Sequence, residues 1–212
     1  MYIKTRRKLG ASLWNFDKEK AVEVVLYIFN SLYDKNKGSD MSYIRILKLI
    51  YLADKTHLED YGRTISADSY LALDNGMVPE KIFFMLKSPE QNSDFGIVYS
   101  NIIALRPANT NHLSESDINV LKRTIALYES LPNWHLYQLS RDGVWSKTIA
   151  DNTDTADMVD LIDEVDIPEG YLMEYLLDNT HPVSTDGNII KDDLNVNKNN
   201  SSSELPPEDN LY

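Results

Sequence analysis

Three side chains that could do acid–base chemistry occur close together in one part of the sequence. Asp54 and His57 lie three residues apart in "KLIYLADKTHLEDYGR", residues 48–63, and Asp68 follows shortly after this segment. Such a set could transfer a proton, could bind a metal ion, or could hold two parts of a fold together. The surrounding sequence decides between these three interpretations.

The segment that contains Asp54 is predicted to be a helix, from about Ser42 to Tyr61, ended by Gly62 in a left-handed conformation. Asp54 falls on the predicted buried stripe of this helix, and His57 lies at its edge. A carboxylate that faces a core is costly unless it is paired, so Asp54 needs partners. The apolar positions that define the stripe, with three-and-four spacing, are Leu47, Ile50, Tyr51, Leu58 and Tyr61.

The sequence does not favour a metal site. Asp54 and His57 could both touch one ion, but the other histidines, His112, His135 and His181, lack the His-x-x-x-His or Glu-x-x-His spacing that completes a ligand set. The chain has no Cys, which excludes thiolate ligands, disulfides and cysteine nucleophiles. We therefore expect no metal and no cofactor.

A catalytic role for Asp54, His57 and Asp68 lacks the other parts of an active site. The sequence contains no Gly-x-Ser-x-Gly nucleophile motif and no Gly-rich phosphate loop. We therefore expect that the protein is not an enzyme. A small hydrolase that uses Asp54 and His57 remains an alternative.

The favoured interpretation of these residues is a polar clamp inside the core. Its polar members would bond one another, or cap backbone groups of the extended segment at Asp68–Tyr70. Two glycines would supply unusual backbone conformations, and a proline would begin the next helix. The predicted clamp comprises Tyr51, Asp54, His57, Tyr61, Gly62, Asp68, Tyr70, Gly76 and Pro79.

The sequence as a whole predicts an α+β fold, mainly α-helical with a small antiparallel β-sheet. Helices are predicted over residues 17–33, with Asp17 as N-cap, and over "LSESDINVLKRTIALYESL", with Ser114 and Asp117 at capping-box spacing. An extended piece at Tyr70–Leu73 meets a turn at "DNG", and "DFGIVYSNIIALRP" predicts a hairpin that turns at "SN". Short helical segments follow, the last of them "PEGYLMEYLLDN".

Composition divides the chain into a basic leader, residues 1–14, a compact helical interaction domain, residues 15–181, and a disordered acidic tail, residues 182–212. The net charge is −12, and residues 142–212 hold 17 Asp and Glu against 3 Lys and Arg. This balance disfavours nucleic-acid binding and is typical of a solvated face with a disordered tail. Contact between the acidic C-terminal third and a basic protein surface is the alternative interpretation.

Targeting signals are not predicted in this sequence. The most apolar run, "AVEVVLYIF", contains Glu23 and is too short to span a bilayer, and the N-terminus has no apolar run of signal-peptide length. We expect a cytoplasmic protein that does not associate with membranes.

The segment "ILKLIYLADKTHLEDYGRTISADSYLALDNGMVPEKIF" resembles the signature of the Panacea domain, found in an antitoxin family of SocA-like and phage-associated GepA-like proteins. The family pattern K-L-x-Y-L-A-D-x-x-H-L-x-x-Y-G-R is matched from Lys48 to Arg63 at every position that the pattern specifies. A D-x-Y-x-A segment follows at Asp68. "LYQLSRDGVWSK" is similar to the closing Leu-Ser and Trp element of the family.

The resemblance implies that this protein neutralises a toxin, encoded by an adjacent gene, by direct complex formation. Toxins paired with the family include alarmone-synthetase-like enzymes that block translation. The sequence departs from the family pattern in two segments: Met77 replaces a proline, and Ser140–Arg141 stands where the family often has Thr-His. The second departure removes a histidine, which weakens the hydrolase alternative further.

Aromatic side chains are the expected anchors of such a complex, and the candidates for toxin binding are Tyr70, Phe84, Tyr99 and Trp134. About 15 residues precede the domain, which are too few for an added helix-turn-helix module, so we do not expect direct DNA binding. A phage or mobile-element inhibitor, or an adaptor that acts on a host protein, is the main alternative function.

Overall fold

One helix, Tyr43–Tyr61, lies at the centre of the fold. The computed structural model describes residues 15–36, 41–88, 94–156 and 160–161, and within them six α-helices and five short strands form the predicted α+β fold. The predicted leader, the predicted tail and the segment "PEGYLMEYLLDN" lie outside the described residues.

The first helix, α1 (Lys18–Asn36), begins where the sequence predicts it. The Asp17 carboxylate accepts hydrogen bonds from the backbone N–H groups of Glu19 and Lys20, at 2.9 and 3.1 Å. These bonds satisfy two of the N–H groups that a helix start leaves without intrahelical partners. The buried face of α1 packs against the central helix.

The central helix, α2 (Tyr43–Tyr61), has the predicted ends. Ser42 Oγ accepts from the Arg45 N–H, and Gly62, at a φ of 68°, donates its N–H to the Leu58 carbonyl. All residues from Arg45 to Asp54 are buried, so the first half of α2 is enclosed on every side and not along one stripe. Tyr61, predicted to be on the buried stripe, is 41% exposed because it is the last residue of the helix.

A three-stranded antiparallel sheet of short strands packs on α2. Strand β1 (Tyr70–Leu73) is the predicted extended piece, and it pairs with β2 (Gly76–Pro79) through the predicted turn at "DNG". The other edge of β1 pairs with β5 (Thr155–Ala156). The sequence did not predict β2 or β5, because runs of four and two residues carry no period of their own and are strands only through pairing.

Pro79 was predicted to be the first helical residue, and this was wrong by one position. It is the last residue of β2, paired with Tyr70, and it is the N-cap of α3 (Glu80–Lys87). Its φ of −65° is accompanied by an extended ψ of 127°. The fixed φ of proline suits a strand as well as a helix start, and the pairing with β1 selects the strand.

A separate two-stranded sheet is formed by β3 (Phe95–Val98) and β4 (Asn101–Ala104). The predicted hairpin is present, but its turn is Tyr99–Ser100, one residue before the predicted "SN". Val98 pairs with Asn101, which leaves a two-residue loop. Both loop residues have positive φ, 49° and 68°. Two-residue hairpin turns with positive φ are favoured because their backbone twist matches the twist of the flanking strands.

Three helices complete the described fold. Helix α4 (Glu115–Tyr128) has the predicted capping box between Ser114 and Asp117 and packs against α2. The short helices α5 (Asn133–Leu139) and α6 (Gly143–Ala150) then bring the chain back to β2 and β1. None of the helices in the described ranges combines the length and the apolar character needed to cross a bilayer.

Replacement of Gly76 by Ala is expected to destabilise the protein by about 2 kcal/mol or more. Gly76 has a φ of 92°, and a Cβ there would lie 2.7 Å from the carbonyl oxygen of Ser140. Gly96 is the matched control, since it lies in a strand and a Cβ there meets no atom within 4 Å. Urea unfolding should show a lower free energy of unfolding for Gly76→Ala and an unchanged one for Gly96→Ala. Equal stabilities would contradict this account of the turn.

Candidate functional site

Asp54 is fully buried, and donors from the chain that follows α2 surround its carboxylate. Oδ1 accepts from the backbone N–H groups of Ile65 and Ser66 at 2.8 and 2.9 Å. Oδ2 accepts from Ser66 Oγ at 2.5 Å and from the Tyr70 hydroxyl at 3.1 Å. Asp54 therefore fixes the loop after α2 and the start of β1 to the centre of the helix.

Burial governs the protonation of Asp54 and of its hydrogen-bond donor Tyr70. It raises the pKa of Asp54, while the bonds from Ser66, Tyr70 and Ile65 partly offset that rise by favouring the carboxylate. Burial and the adjacent Asp54 charge together raise the pKa of Tyr70 well above its ordinary value. Because Tyr70 stays a phenol, its hydroxyl remains a donor to Asp54.

His57 is fully buried, not at the edge of a stripe as predicted, because the first turn of α4 covers it. Its Nδ1 lies 2.7 Å from the Arg63 carbonyl oxygen, which makes Nδ1 the protonated donor. Its Nε2 lies 3.1 Å from Ser116 Oγ and 3.2 Å from Asp117 Oδ1. The Tyr61 ring packs against the imidazole, 4.7 Å between centroids.

Asp117 joins three elements. Besides capping α4, its carboxylate contacts Lys20 of α1 at 2.8 Å and Arg63, after α2, at 2.9 Å. Burial alone would raise the pKa of Asp117, but His57, Lys20, the Ser114 N–H and the Arg63 charge hold it well below its usual range. Asp117 is therefore an ionised centre of the packing between α1, α2 and α4.

Asp68 connects the residues before β1 to helix α3. Asp68 Oδ2 accepts from the Ile82 N–H at 3.0 Å and so caps α3 from the residues just before β1. Burial raises the pKa of Asp68 to about 6, against the lowering effect of the Ile82 and Lys81 N–H groups.

Asp142 is the fourth aspartate, at the start of α6. Its Oδ1 accepts from the Trp145 N–H, while Oδ2 accepts from the Tyr51 hydroxyl at 2.8 Å and from Lys55 at 2.7 Å. Tyr51 thus bonds to Asp142 and not to Asp54, although its ring packs edge-on against Tyr70, 5.4 Å between centroids. We call Asp54, Asp68, Asp117 and Asp142, with their donors, the polar framework.

The chemistry open to the polar framework is limited by access. Asp54 and His57 have no exposed surface, and their polar atoms face other groups of the protein. A general base must reach its substrate's proton within hydrogen-bonding distance, which this enclosure prevents in the conformation described. Over the described ranges, no three His, Asp or Glu side chains converge in a way that could hold a metal ion.

Lys48 is a buried cation on α2 that sequence reasoning missed. Its ammonium group has no exposed surface and donates to the Met77 carbonyl of β2 at 2.9 Å. Burial lowers its pKa to about 7, Arg141 adds to the effect, and Asp142 opposes it. Near neutral pH this lysine changes between charged and neutral forms in the folded state.

Other contributors were also missed, although α2 carried a signal for some of them. A charged residue inside a run of buried apolar residues must find partners. Arg45, for example, donates to the carbonyls of Leu131 and Glu129 at 2.9 and 2.5 Å, near the end of α4. The charged residues of α2 indicate that distant elements contact this helix, but the sequence of α2 does not predict which elements they are.

The four candidates for toxin binding divide into one buried and three exposed residues. Tyr70 is fully buried within the polar framework, so its assignment to a binding surface was wrong. Phe84 and Trp134 are each more than half exposed, and Tyr99 is 95% exposed. These three remain available to a partner.

Fold and site together define a helical domain whose conspicuous polar residues connect its own elements. Residues 46–146 match the family described as "Antitoxin SocA-like, Panacea domain", and all four aspartates of the polar framework lie within this range. Residues 46–146 therefore carry the Panacea domain that the signature indicates. No curated protein and no solved structure matches the chain.

Asp54→Asn is expected to cost about 3–5 kcal/mol of unfolding free energy, since an amide nitrogen cannot accept the bonds that a carboxylate oxygen accepts. Asp60 offers a matched control on the same helix, where it pairs with the exposed Arg123. Asp60→Asn should change stability by less than about 0.5 kcal/mol. Urea unfolding of both variants tests this contrast, and a normal stability for Asp54→Asn would refute the structural role.

Lys48 is expected to make stability rise with pH above neutrality. Between about pH 7 and its ordinary value near 10.5, the unfolded chain binds a proton at Lys48 that the folded chain releases. The free energy of unfolding should therefore rise by up to about 1.4 kcal/mol per pH unit through the titration of Lys48. The difference between wild type and Lys48→Met, measured by urea unfolding from pH 6 to 9, should follow that trend. A pH-independent difference would contradict it.

Proposed function

We propose that this protein is an antitoxin that neutralises a cognate protein toxin, encoded by an adjacent gene, through a direct complex. The Panacea domain over residues 46–146 is the observation that carries the proposal, because that domain is antitoxin-like. The resemblance of the signature suggests a translation inhibitor, such as an alarmone-synthetase-like enzyme, as the toxin. Both proteins would then meet in the cytoplasm.

We also propose that neutralisation needs no catalysis by this chain. In support, Asp54 and His57, the residues most suggestive of acid–base chemistry, are fully buried and bonded to other groups of the domain. A binding protein requires a rigid scaffold and exposed anchors. The polar framework would supply the rigidity, and Phe84, Tyr99 and Trp134 are exposed aromatic side chains of the type that dominates binding energy.

Growth of bacteria that express the adjacent open reading frame tests this proposal. Separate inducible promoters for the two genes allow the ratio of the proteins to be varied. We expect the neighbour to arrest growth, and this protein to restore growth only near or above equimolar amounts, since each complex inactivates one toxin molecule. A co-purified complex of the two proteins should accompany the rescue.

Two outcomes of this experiment would contradict the proposal. A harmless neighbour, or one that arrests growth whatever the amount of this protein, would exclude a toxin–antitoxin pair. Rescue by far less than equimolar protein, abolished by His57→Gln in a variant that still folds, would support the hydrolase alternative. The Asp60→Asn variant serves as the control for expression and should rescue like wild type.

A further inference from the structure

Helix α3 directs one of its aromatic side chains away from the core. Ile82 and Leu86 are buried, and Phe84, midway between them on the helix, points outward and is 55% exposed. The Phe84 ring packs edge-on against the ring of Phe83, with 5.4 Å between the two centroids. An aromatic ring that projects from a fixed helix is the kind of anchor that dominates binding energy at interfaces.

Lys87 lies beside this aromatic pair, one turn after Phe83. Its ammonium group is 5.4 Å from the centroid of the Phe83 ring and 5.1 Å from the centroid of the Tyr43 ring, so two aromatic rings hold the cation in position. In the part of the chain that the structure describes, no carboxylate lies within 4 Å of this ammonium group. Lys87 is therefore a positioned positive charge that is open to a carboxylate of another molecule.

Tyr43 connects Lys87 to the turn of the β3–β4 hairpin. The Tyr43 N–H donates to the Ser100 carbonyl at 2.9 Å, while its ring contacts Lys87. The first residue of that turn, Tyr99, is 95% exposed and has a φ of 49°, which is uncommon for an aromatic residue. Backbone strain of this kind is concentrated at functional sites. We call the connected series of residues the α3 surface: Phe84, Phe83, Lys87, Tyr43 and Tyr99.

The carboxylates of the residues next to Lys81 are bonded within the domain. Asp68 lies 3.9 Å from the Lys81 ammonium group, and Glu80, two turns before Lys87, accepts from Ser69 Oγ at 2.5 Å. The Lys81 ammonium group also lies 5.1 Å from the centroid of the Phe16 ring. Residues 1–14, which precede Phe16 closely in sequence, hold four Lys and Arg and no Asp or Glu. The charge available to a partner of α3 is therefore positive.

An acidic protein segment is the partner that this combination of groups fits. A carboxylate can pair with Lys87, while apolar side chains on its two sides cover Phe84 and Tyr99, so charge and apolar area are matched together. Nucleic acid fits less well, because its affinity depends on the number of phosphates that Lys and Arg neutralise, and the α3 surface contains one such residue.

We infer that the α3 surface binds the toxin through a toxin segment that carries Asp or Glu between two apolar residues, with the carboxylate at Lys87 and the apolar side chains against Phe84 and Tyr99. This inference rests on the proposed antitoxin function and specifies both the binding surface and the chemistry of the toxin segment. It also selects among the three exposed aromatic candidates, since Trp134 lies on α5 and outside the α3 surface.

Phe84→Ser tests the aromatic anchor, and Leu127→Ser is its matched control. Both side chains are large, apolar and more than half exposed, 55% and 62%, but Leu127 lies on α4. Because of this exposure, both variants should melt like wild type. The affinity of Phe84→Ser for the product of the adjacent open reading frame should fall by at least about tenfold, and that of Leu127→Ser should be unchanged. Titration calorimetry with that purified protein measures both affinities.

Lys87→Gln tests the charge, and Lys122→Gln, at an exposed position of α4, is its matched control. Lys87→Gln should weaken the complex by about three- to tenfold, while Lys122→Gln should bind like wild type. Salt gives a second readout, because screening weakens attraction between charges. Raising the NaCl concentration from about 0.05 to about 0.5 M should weaken the wild-type complex more than the Lys87→Gln complex.

The outcomes separate the surface from the function. Loss of affinity in Phe84→Ser and Lys87→Gln, with unchanged controls and a reduced salt dependence for Lys87→Gln, supports the inference. Wild-type affinity in both α3 variants overturns the surface and leaves the antitoxin proposal standing. A wild-type complex that salt does not weaken overturns the acidic segment. A wild-type chain that forms no complex overturns both proposals.

Two further measurements test the other occupants of the α3 surface. A wild-type dimer in sedimentation that Phe84→Ser abolishes would assign the surface to a second copy of this chain. A gel shift with single-stranded RNA that Lys87→Gln abolishes would assign it to nucleic acid. Either result overturns the inference, and we expect neither.

Discussion

The enclosed carboxylate of Asp54 is the constraint on which the rest of this structure depends. A charge in the buried part of a helix is tolerated only when donors surround it, and Asp54 has four within 3.1 Å. Three of the four come from Ile65 and Ser66, which reverse the chain after α2. The fourth, the Tyr70 hydroxyl, determines where β1 lies against the helix.

The other aspartates of the polar framework repeat this arrangement at different places. Asp68, Asp117 and Asp142 each accept from a backbone N–H at the start of a helix, and each has a further contact, which for Asp117 and Asp142 reaches a distant element. Helix capping and tertiary packing therefore depend on the same three carboxylates. Residues that resemble an acid–base centre in sequence thus form a scaffold, and the surface that it supports is free to bind a partner.

The sequence predicted those features that neighbouring residues determine. Asp17, the Ser114–Asp117 capping box and Gly62 act within a few residues of their own position, so pattern and chemistry were sufficient to identify them. The Tyr51 hydroxyl, by contrast, bonds to a residue 91 positions away in sequence. Such pairs depend on topology, which is also why the contacts of His57 with the first turn of α4 and the strands β2 and β5 were not predicted.

Native-state hydrogen exchange at the Ile65 and Ser66 amides tests most directly whether Asp54 holds the domain together. Both N–H groups donate to the Asp54 carboxylate. If this contact is part of the global core, the two amides should exchange only through complete unfolding, with the same urea dependence as the amides in the middle of α2. Exchange through a local opening that urea does not affect would show that the loop separates from the helix while the domain stays folded, and would contradict the account.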